Sequence, residues 1–368
     1  MKKRSKIKVI ALSVVALLVL GTVYSYYAFA WMFFVQPKDG GYNYGQEIHF
    51  VAGSQMQEEG FKDGVGNAVK MHKPIRLAEL NDSTVVFADI NNHAIRTINL
   101  RGEVKTLAGG IDKQGYRDGS VEEAKFDNPH GVAVRQDGVI AVAEVKNNTI
   151  RLLIPREENG TITYVVSTLA GISGEGGMRD GENDMALFDS PHSLAWGNKG
   201  ELYVADIGNS RIRMIYNSET TTIAGRDETG QLDGDLQTGS LKYPMDITTD
   251  KEGNIWIADA GTMTVRKWNK ATGLSTPFPN AEMAMPHGIS MIGSSHIVIA
   301  EMYGQRILLY DIKSQQVSTL TGTTEKGVGE GRLTKPAAVL VKGDKIWIAD
   351  LGNHRIVYVD IPEELLGL

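Results

Sequence analysis

Three of the eight histidines share one local context, in which each directly follows a proline. They are His130, His192 and His287, in the sequences Pro-His-Gly, Pro-His-Ser and Pro-His-Gly. Three imidazoles with an open fourth position form the usual arrangement of a catalytic zinc site. The pattern predicts a site for zinc or another divalent metal, if the fold brings the three side chains together. The alternative is that they are solvated or hydrogen-bonded imidazoles without metal.

Two charged residues stand where this context otherwise has a small residue. The proline recurs in six units, and Arg76 and Asp246 replace the glycine of Pro-x-Gly in the first and fourth of them. In a ring of six units, the first and fourth lie opposite each other. Arg76 and Asp246 are therefore predicted to line the same channel mouth as the histidines, unless they face solvent. No residue can be given a catalytic role from the sequence.

The element that must position these residues is a repeated group of strands. A short apolar run ending in an acid occurs six times: VVFAD to Asp89, IAVAE to Glu144, LYVAD to Asp206, IWIAD to Asp259, IVIAE to Glu301 and IWIAD to Asp350. Each run is typical of a strand buried on both faces. Successive acids are 42 to 62 residues apart. With a strand opened by proline before each run and two strands after it, the pattern predicts an all-β, six-bladed propeller.

The strand count also predicts how the ring is completed. The segment IHFVAG, Ile48 to Gly53, resembles the last strand of a unit but precedes the first one. The sixth unit ends after IVYVDI without its own last strand. The N-terminal strand is therefore expected to complete the last blade, because an orphan edge strand is unfavourable. The propeller is predicted over 48–361, after a linker at 36–47 and before a tail at 362–368.

The recurring acids and arginines have a structural explanation. Arg follows each acid by five or seven residues, as in Asp89 with Arg96, and an ion pair repeated in every unit is typical of a scaffold. Asp-Gly pairs recur in the connections between units, as at Asp118-Gly119. Tight turns explain these pairs, and calcium binding is the alternative.

The combined pattern, Pro-x-Gly-Ile-Ala followed by VAD-x-Gly-Asn-x-Arg-Ile, resembles the NHL repeat and covers residues 48–361. The fifth unit departs from it with LSTPFPN in place of TLAG. The chain is also distantly similar to the propeller of peptidyl-α-hydroxyglycine amidating lyases. That resemblance implies that His130, His192 and His287 hold zinc, although ligands on alternating blades would be expected and two of these histidines lie on adjacent ones.

The N-terminus predicts a membrane anchor. Five basic residues precede an uncharged apolar run from Val9 to Val35, which is long enough to cross a bilayer and ends in aromatic residues. Residues 1–35 are thus expected to be a short cytoplasmic tail and a single transmembrane helix, with the propeller outside the cell. Cleavage after Ala30 would instead secrete the protein.

Composition narrows the classes of function. The 368 residues include no cysteine, which excludes disulfides, thiolate metal sites and cysteine nucleophiles. Residues 36–368 carry a net charge of −11, which argues against nucleic-acid binding. A binding module for a protein, peptide or glycan partner at the cell surface is the favoured function. A metal-dependent lyase or hydrolase is the alternative, with its site at the channel mouth.

Overall fold

The computed structural model describes residues 42–278, 283–329 and 331–366. Over these residues the chain forms six antiparallel sheets, and the innermost strand of each sheet contacts those of the sheets before and after it. This arrangement is a six-bladed β-propeller with a central channel. The all-β prediction and the number of blades are confirmed.

The chain fills the blades in sequence order, apart from the first strand, β1 (His49–Gly53). Blade 1 contains β2 (Gly64–Val65), β3 (Pro74–Asn81), β4 (Thr84–Asp89), β5 (Ala94–Asn99) and β6 (Glu103–Gly109). Blade 2 contains β7 (Gly119–Ser120), β8 (Pro129–Val134), β9 (Ile140–Glu144), β10 (Thr149–Glu158) and β11 (Thr161–Ala170). Blade 3 contains β12 (Gly181–Glu182), β13 (Pro191–Trp196), β14 (Leu202–Asp206), β15 (Arg211–Tyr216) and β16 (Glu219–Ala224).

Over the described residues, blades 4 to 6 have four strands each, without the two-residue outermost strand of blades 1 to 3. Blade 4 contains β17 (Pro244–Thr249), β18 (Ile255–Asp259), β19 (Thr264–Asn269) and β20 (Gly273–Ser275). Blade 5 contains β21 (Pro286–Ile292), β22 (His296–Glu301), β23 (Arg306–Asp311) and β24 (Val317–Gly322). Blade 6 contains β25 (Pro336–Lys342), β26 (Lys345–Asp350), β27 (Arg355–Asp360) and the strand β1. Short 3₁₀ helices lie at Gly66–Ala68, Ile90–Asn92, Ile111–Lys113, Leu351–Asn353 and Glu363–Leu365.

The second strand of each blade forms the centre of the hydrophobic core. In the second strands of blades 2 to 6, every residue of the recurring apolar run that ends in an acid is buried, as the continuous apolar sequence predicts. These strands are β9, β14, β18, β22 and β26. The innermost strands begin at the recurring prolines. Proline is found at such positions because it is the first residue of an edge strand. The channel is thus lined by edge strands that a rigid core supports.

The outer edge of blade 6 is supplied by β1, which pairs antiparallel with β27. The strand count in the sequence predicts that this N-terminal strand lies in the last blade. A Cβ on Gly53 would lie 2.5 Å from the carbonyl oxygen of His354, so only glycine allows the two strands to approach this closely. Part of the segment predicted as a linker also pairs: Tyr44 N–H donates to Thr319 O and Gln46 N–H to Leu320 O, beside β24.

An ion-pair cluster recurs in blades 1 to 4 and explains both the acid-arginine motif and the Asp-Gly pairs. In blade 2, the buried Arg151 guanidinium donates to Glu144 at the end of the second strand and to Asp118 of the Asp-Gly connection. The second oxygen of Asp118 accepts the backbone N–H of Thr168 on the outer strand. Equivalent hydrogen bonds centre on Arg96 and Arg213. In blade 4, Arg266 donates to Asp233 of the Asp-Gly connection, and its Nη1 lies 3.7 Å from Asp259 as an ion pair. The Asp-Gly aspartates are therefore more than turn residues, because each joins its connection to a buried arginine.

The predicted tail and anchor are only partly within the described residues. Leu365 of the last 3₁₀ helix is buried in the core cluster of blades 5 and 6. The anchor predicted at residues 1–35 lies outside the described residues, and so does the cleavage site after Ala30. Across 42–278, 283–329 and 331–366, no helix has both the length and the apolar character needed to span a membrane.

Candidate functional site

A β-bulge near the start of each innermost strand shapes the site. In blades 2 to 6 the register with the second strand shifts directly after the proline, so that the next residue is left unpaired. In blade 1 the shift comes one residue later, between Ile75 and Leu77. The six bulged residues, here named the bulge ring, are Arg76, His130, His192, Met245, His287 and Ala337. Bulges free the backbone from the ladder and redirect side chains, and here they do so at the channel.

The predicted histidines meet at this ring. The ring centroids of His130 and His192 are 4.5 Å apart, and those of His192 and His287 are 5.4 Å apart. His192 and His287 are almost fully buried, with 8% and 5% of their surface exposed, whereas His130 is half-buried. The three side chains that share one local sequence context therefore lie together where the innermost strands begin.

Each imidazole has its Nδ1 atom against a backbone carbonyl. His192 Nδ1 lies 2.9 Å from Met245 O, and His287 Nδ1 lies 2.8 Å from Ala337 O. His130 Nδ1 lies 3.2 Å from Asn128 O. A carbonyl oxygen can only accept, so the neutral forms of His130 and His287 carry their proton on Nδ1. His192 Nδ1 also lies 3.3 Å from Arg76 Nη2, which can only donate, and the shorter contact to Met245 O favours a proton on Nδ1 here too. The Nε2 atoms then keep their lone pairs, and the site offers three hydrogen-bond acceptors.

Arg76 crosses the channel and bonds to the backbone of the last three blades. Its Nη1 donates to Ala337 O at 3.0 Å, and its Nη2 donates to Met245 O at 2.5 Å and His287 O at 3.1 Å. All three acceptors belong to the bulge ring. The backbone of Arg76 has a φ of +35°, which is unfavourable for a residue with a side chain. A strained backbone held by several hydrogen bonds is common at functional sites.

Asp246 provides the counter-charge for Arg76. Its Oδ1 lies 3.3 Å from Arg76 Nε and accepts the hydroxyl of Ser193 at 2.5 Å and the backbone N–H of Ile247. Its Oδ2 accepts the backbone N–H of Ile289. Both side chains of the ion pair are buried, and the pair joins units one and four, which the sequence analysis places opposite each other. The pair joins blade 1 to blade 4 across the channel and leaves no net charge.

Burial and the nearby guanidinium keep the three histidines neutral. Burial lowers the pKa of His130 to about 4, and the positive charge of Arg76 contributes. The same two causes lower the pKa of His287 to about 3. The pKa of His192 lies well below its usual value because of burial and the neighbouring His130 and Arg76. At neutral pH the site therefore presents uncharged imidazoles.

The fit of a metal ion to this site is mixed. Three Nε2 lone pairs supply the right kind of donor, and each Nδ1–carbonyl bond is the type of support that metal-binding histidines commonly have. However, the Arg76 Nη2 atom lies 3.3 Å from His192 Nδ1, and its positive charge opposes a second cation. Within 42–278, 283–329 and 331–366, no three His, Asp or Glu side chains are grouped so that they could hold a metal ion. The zinc site remains a prediction.

Sequence reasoning found the five site residues but missed part of their chemistry. The displaced bulge of blade 1, the carbonyl acceptors of Arg76 and the role of Ser193 depend on register and on distant backbone. One signal was available in the sequence, because an arginine in a glycine position is unusual for the repeat. This signal singles out Arg76 but does not indicate which groups Arg76 contacts.

The fold and this site define a six-bladed propeller with a polar, uncharged histidine site at one end of its channel. No protein-family model matches the chain. It is 22% identical to human NHL repeat-containing protein 2 over an alignment of 339 positions that covers 77% of this chain and 46% of that protein. It is 26% identical to a probable peptidyl-alpha-hydroxyglycine alpha-amidating lyase of Caenorhabditis elegans over an alignment of 255 positions that covers 65% of this chain and 60% of the other.

A solved structure supports the same fold. A protein of unknown function from Bacteroides thetaiotaomicron superposes with a TM-score of 0.64 at 17% identity, covering 86% of this chain and 76% of that one. The chain spans less than two thirds of the length of either curated relative named above. Its six repeats and these relatives make the chain similar to NHL-repeat propeller proteins.

Proposed function

We propose that this protein is a binding module whose ligand contacts the histidines of the bulge ring. The observation that carries the proposal is the orientation of the three imidazoles, each of which bonds to a carbonyl through Nδ1 and keeps Nε2 as an acceptor. Arg76 donates to backbone carbonyls through Nη1 and Nη2, Asp246 accepts from Ser193 and two backbone N–H groups, and the two side chains form an ion pair. They therefore hold the site in shape and are poorly placed to act on a substrate.

The chemistry of the site selects a ligand that donates hydrogen bonds. Three neutral acceptors at a mouth without net charge favour N–H or O–H groups over anions. A peptide or a glycan carries such groups, on its own or as part of a larger protein partner. His130 is the half-buried member of the three, and a ligand entering the mouth would meet it first.

The location of the protein is also a proposal. The basic and apolar pattern of residues 1–35 favours a single-pass anchor that places the propeller outside the cell. Those residues lie outside the described part of the chain, so this proposal depends on their sequence alone. A cell-surface ligand is consistent with it.

Binding arrays with matched variants test the proposal. The full chain, kept in mild detergent, is applied to peptide and glycan arrays, and the affinity for each ligand found is measured by calorimetry. His130→Asn and His287→Asn retain a donor near Nδ1 but lose Nε2, and each is expected to weaken binding at least tenfold. His49→Asn changes a histidine of β1, away from the channel, and should have no effect. Arrays without a ligand, or affinities that ignore both channel variants, would contradict the proposal.

A metal-dependent lyase or hydrolase is the second candidate. The observation that favours it is the same set of Nε2 atoms, which could hold zinc, and zinc would supply a Lewis acid. Similarity to an amidating lyase adds to this candidate. The guanidinium beside His192 counts against it.

Metal analysis separates the two candidates. The full chain and its His192→Asn variant are incubated with zinc, freed of excess metal and measured by mass spectrometry. One metal ion per chain that is lost in the variant would favour the enzyme and justify a search for turnover. An equally low metal content in both proteins would remove this candidate.

A further inference from the structure

Neighbouring blades are joined by a hydrogen bond that recurs at one position of the repeat. The position lies four residues after the acid of each second strand, and its backbone is left-handed in all six blades, with φ between 51° and 59°. Residues other than glycine seldom adopt this region, so six occurrences at one position indicate a common role. The six, here named the junction residues, are His93, Asn148, Ser210, Met263, Gln305 and His354.

Four of the junction residues accept a hydrogen bond from the next blade. The donor is in each case the backbone N–H of the residue before the proline that begins the next innermost strand. The four bonds run from Asn128 to His93 Nδ1 at 3.2 Å, from Ser190 to Asn148 Oδ1 at 2.8 Å, from Lys335 to Gln305 Oε1 at 2.6 Å and from Lys73 to His354 Nδ1 at 3.1 Å. Each bond fixes one blade against the next.

The two histidines among them lie on either side of blade 1. His354 joins blade 6 to blade 1, and His93 joins blade 1 to blade 2. Asn148 makes the same bond at the next junction with an amide, which does not titrate. Blade 4, on the opposite side of the ring, is flanked by Ser210 and Met263, which do not titrate either. Blade 1 is therefore the blade whose two junctions depend on imidazoles.

Only the neutral imidazole can make this bond. Nδ1 accepts an N–H group through its lone pair, and a proton on Nδ1 turns the atom into a donor that faces another donor. The protonated rings have other partners nearby. Asp127 Oδ1 lies 3.4 Å from His93 Nδ1, and Glu59 Oε2 lies 4.0 Å from His354 Nε2. Protonation thus exchanges a bond to the next blade for a contact with a carboxylate.

The surroundings of both rings favour the neutral form at neutral pH. Burial lowers the pKa of His93, although Asp127 acts in the opposite direction. Burial also lowers the pKa of His354. The charged and titratable groups around His354 are His72 and Lys73, which lower its pKa further, and Glu59 and Asp89, which raise it. Both bonds are therefore complete above the ordinary histidine value of about 6.5 and are lost as the pH falls through the lowered pKa of each ring.

We propose that mild acid releases blade 1 from blades 6 and 2 while the other junctions stay closed, with His354 and His93 as the groups that sense the pH. Arg76 begins in blade 1, so this release also loosens its bonds to Ala337 O and Met245 O across the channel. The switch acts at the blade junctions and does not depend on which ligand the histidine mouth binds.

Hydrogen–deuterium exchange of the full chain in mild detergent tests the switch. Amide protection, corrected for the effect of pH on intrinsic exchange, is compared at about pH 7.5 and about pH 5, on either side of the ordinary histidine pKa. The channel residues His130 and His287 are still mostly neutral at the lower value. Protection of β3 to β6 in blade 1 should fall at least tenfold, and protection of β17 to β19 in blade 4 should not fall.

The repeat itself supplies the matched variant. His93→Asn combined with His354→Asn places at both junctions of blade 1 the residue that already makes this bond at position 148 and tolerates a left-handed backbone. This protein should fold, and its blade 1 protection should change less than twofold between the two pH values. His49→Asn, at a histidine of β1 outside the junctions, should keep the full response.

Three results would overturn the proposal. They are equal protection of wild-type blade 1 at both pH values, an equally large loss in blade 4, and a response that persists in the double variant. The first two come from the wild type alone, so they decide the matter whatever the variants do.

Discussion

At the scale of single residues, the three channel histidines are held in a form that resists protonation. Their Nδ1 atoms bond to carbonyls of the bulge ring or of Asn128, and Arg76 places a positive charge beside His192. An imidazole that gains a proton here would be a buried cation next to another cation. The histidines therefore link the stability of the propeller to pH.

Stability is expected to fall in acid because of these histidines. In the folded protein the pKa values of His130 and His287 are about 4 and about 3, below the value of about 6.5 in an unfolded chain. Protonation therefore favours the unfolded state, so their stabilising contribution is complete above pH ~6.5 and falls until the pH passes the folded-state pKa, about 4 for His130 and about 3 for His287. Each histidine contributes a slope of up to about 1.4 kcal/mol per pH unit. Urea unfolding between pH 7 and 4 measures it.

The control for this prediction is His287→Asn, which keeps a donor for Ala337 O and does not titrate. Burial raises the pKa of Asp206 to about 6 and of Asp259 to about 7. Protonation of these two carboxyls favours the folded state, so between pH 7 and 4 they raise the free energy of unfolding while the histidines lower it. The difference between wild type and variant cancels them. A wild type and a variant with parallel pH profiles would show that His287 is not held neutral.

At the scale of elements, the blades are held together by the clusters that join each connection to its own sheet. Arg151 is fully buried and bonds to Glu144, also fully buried, and to Asp118, which is 42% exposed at its side chain. The guanidinium also lies over the rings of Tyr116 and Phe126. One arginine thus links two strands and the connection that crosses the outer edge.

The two acids of this cluster are expected to differ in their effect on stability. Glu144→Ala removes the buried partner of a buried cation and should lower the free energy of unfolding by about 3–5 kcal/mol. Asp118→Ala removes a partly solvated partner and should cost about 1–3 kcal/mol. Asp112→Ala, an exposed aspartate of the neighbouring 3₁₀ helix, should change it by less than about 0.5 kcal/mol. Guanidinium unfolding of the four proteins gives the order, and equal losses for Glu144 and Asp118 would contradict it.

At the scale of the whole molecule, Arg76 connects blades that are far apart in the chain. It belongs to blade 1, and its partners belong to blades 4, 5 and 6. A propeller is otherwise held by contacts between neighbouring blades, so a side chain that spans the channel couples the first blade to the last three. Arg76 makes these contacts with a backbone φ in the unfavourable positive region.

Removal of Arg76 is expected to weaken the whole ring. Arg76→Met leaves Asp246 as a buried, unpaired carboxylate and should lower the free energy of unfolding by about 3–5 kcal/mol. Arg76→Met combined with Asp246→Asn removes that charge and should recover at least half of the loss. Arg101→Met, at an exposed turn, is the matched control and should have little effect. A double variant no more stable than Arg76→Met would show that the ion pair is not the cause.

The sequence by itself determined the number of blades, the proline that begins the innermost strand of each blade, and the five residues that meet in the channel. This was possible because the repeat is local: equivalent positions such as Pro129 and Pro191 fold alike and the ring brings them to one end. Only the tertiary structure decided what those residues do there. Arg76 meets Ala337, 261 residues away, because a bulge displaced by one residue turns its side chain into the channel. Register and burial of this kind arise from contacts between distant blades, and no local pattern encodes them.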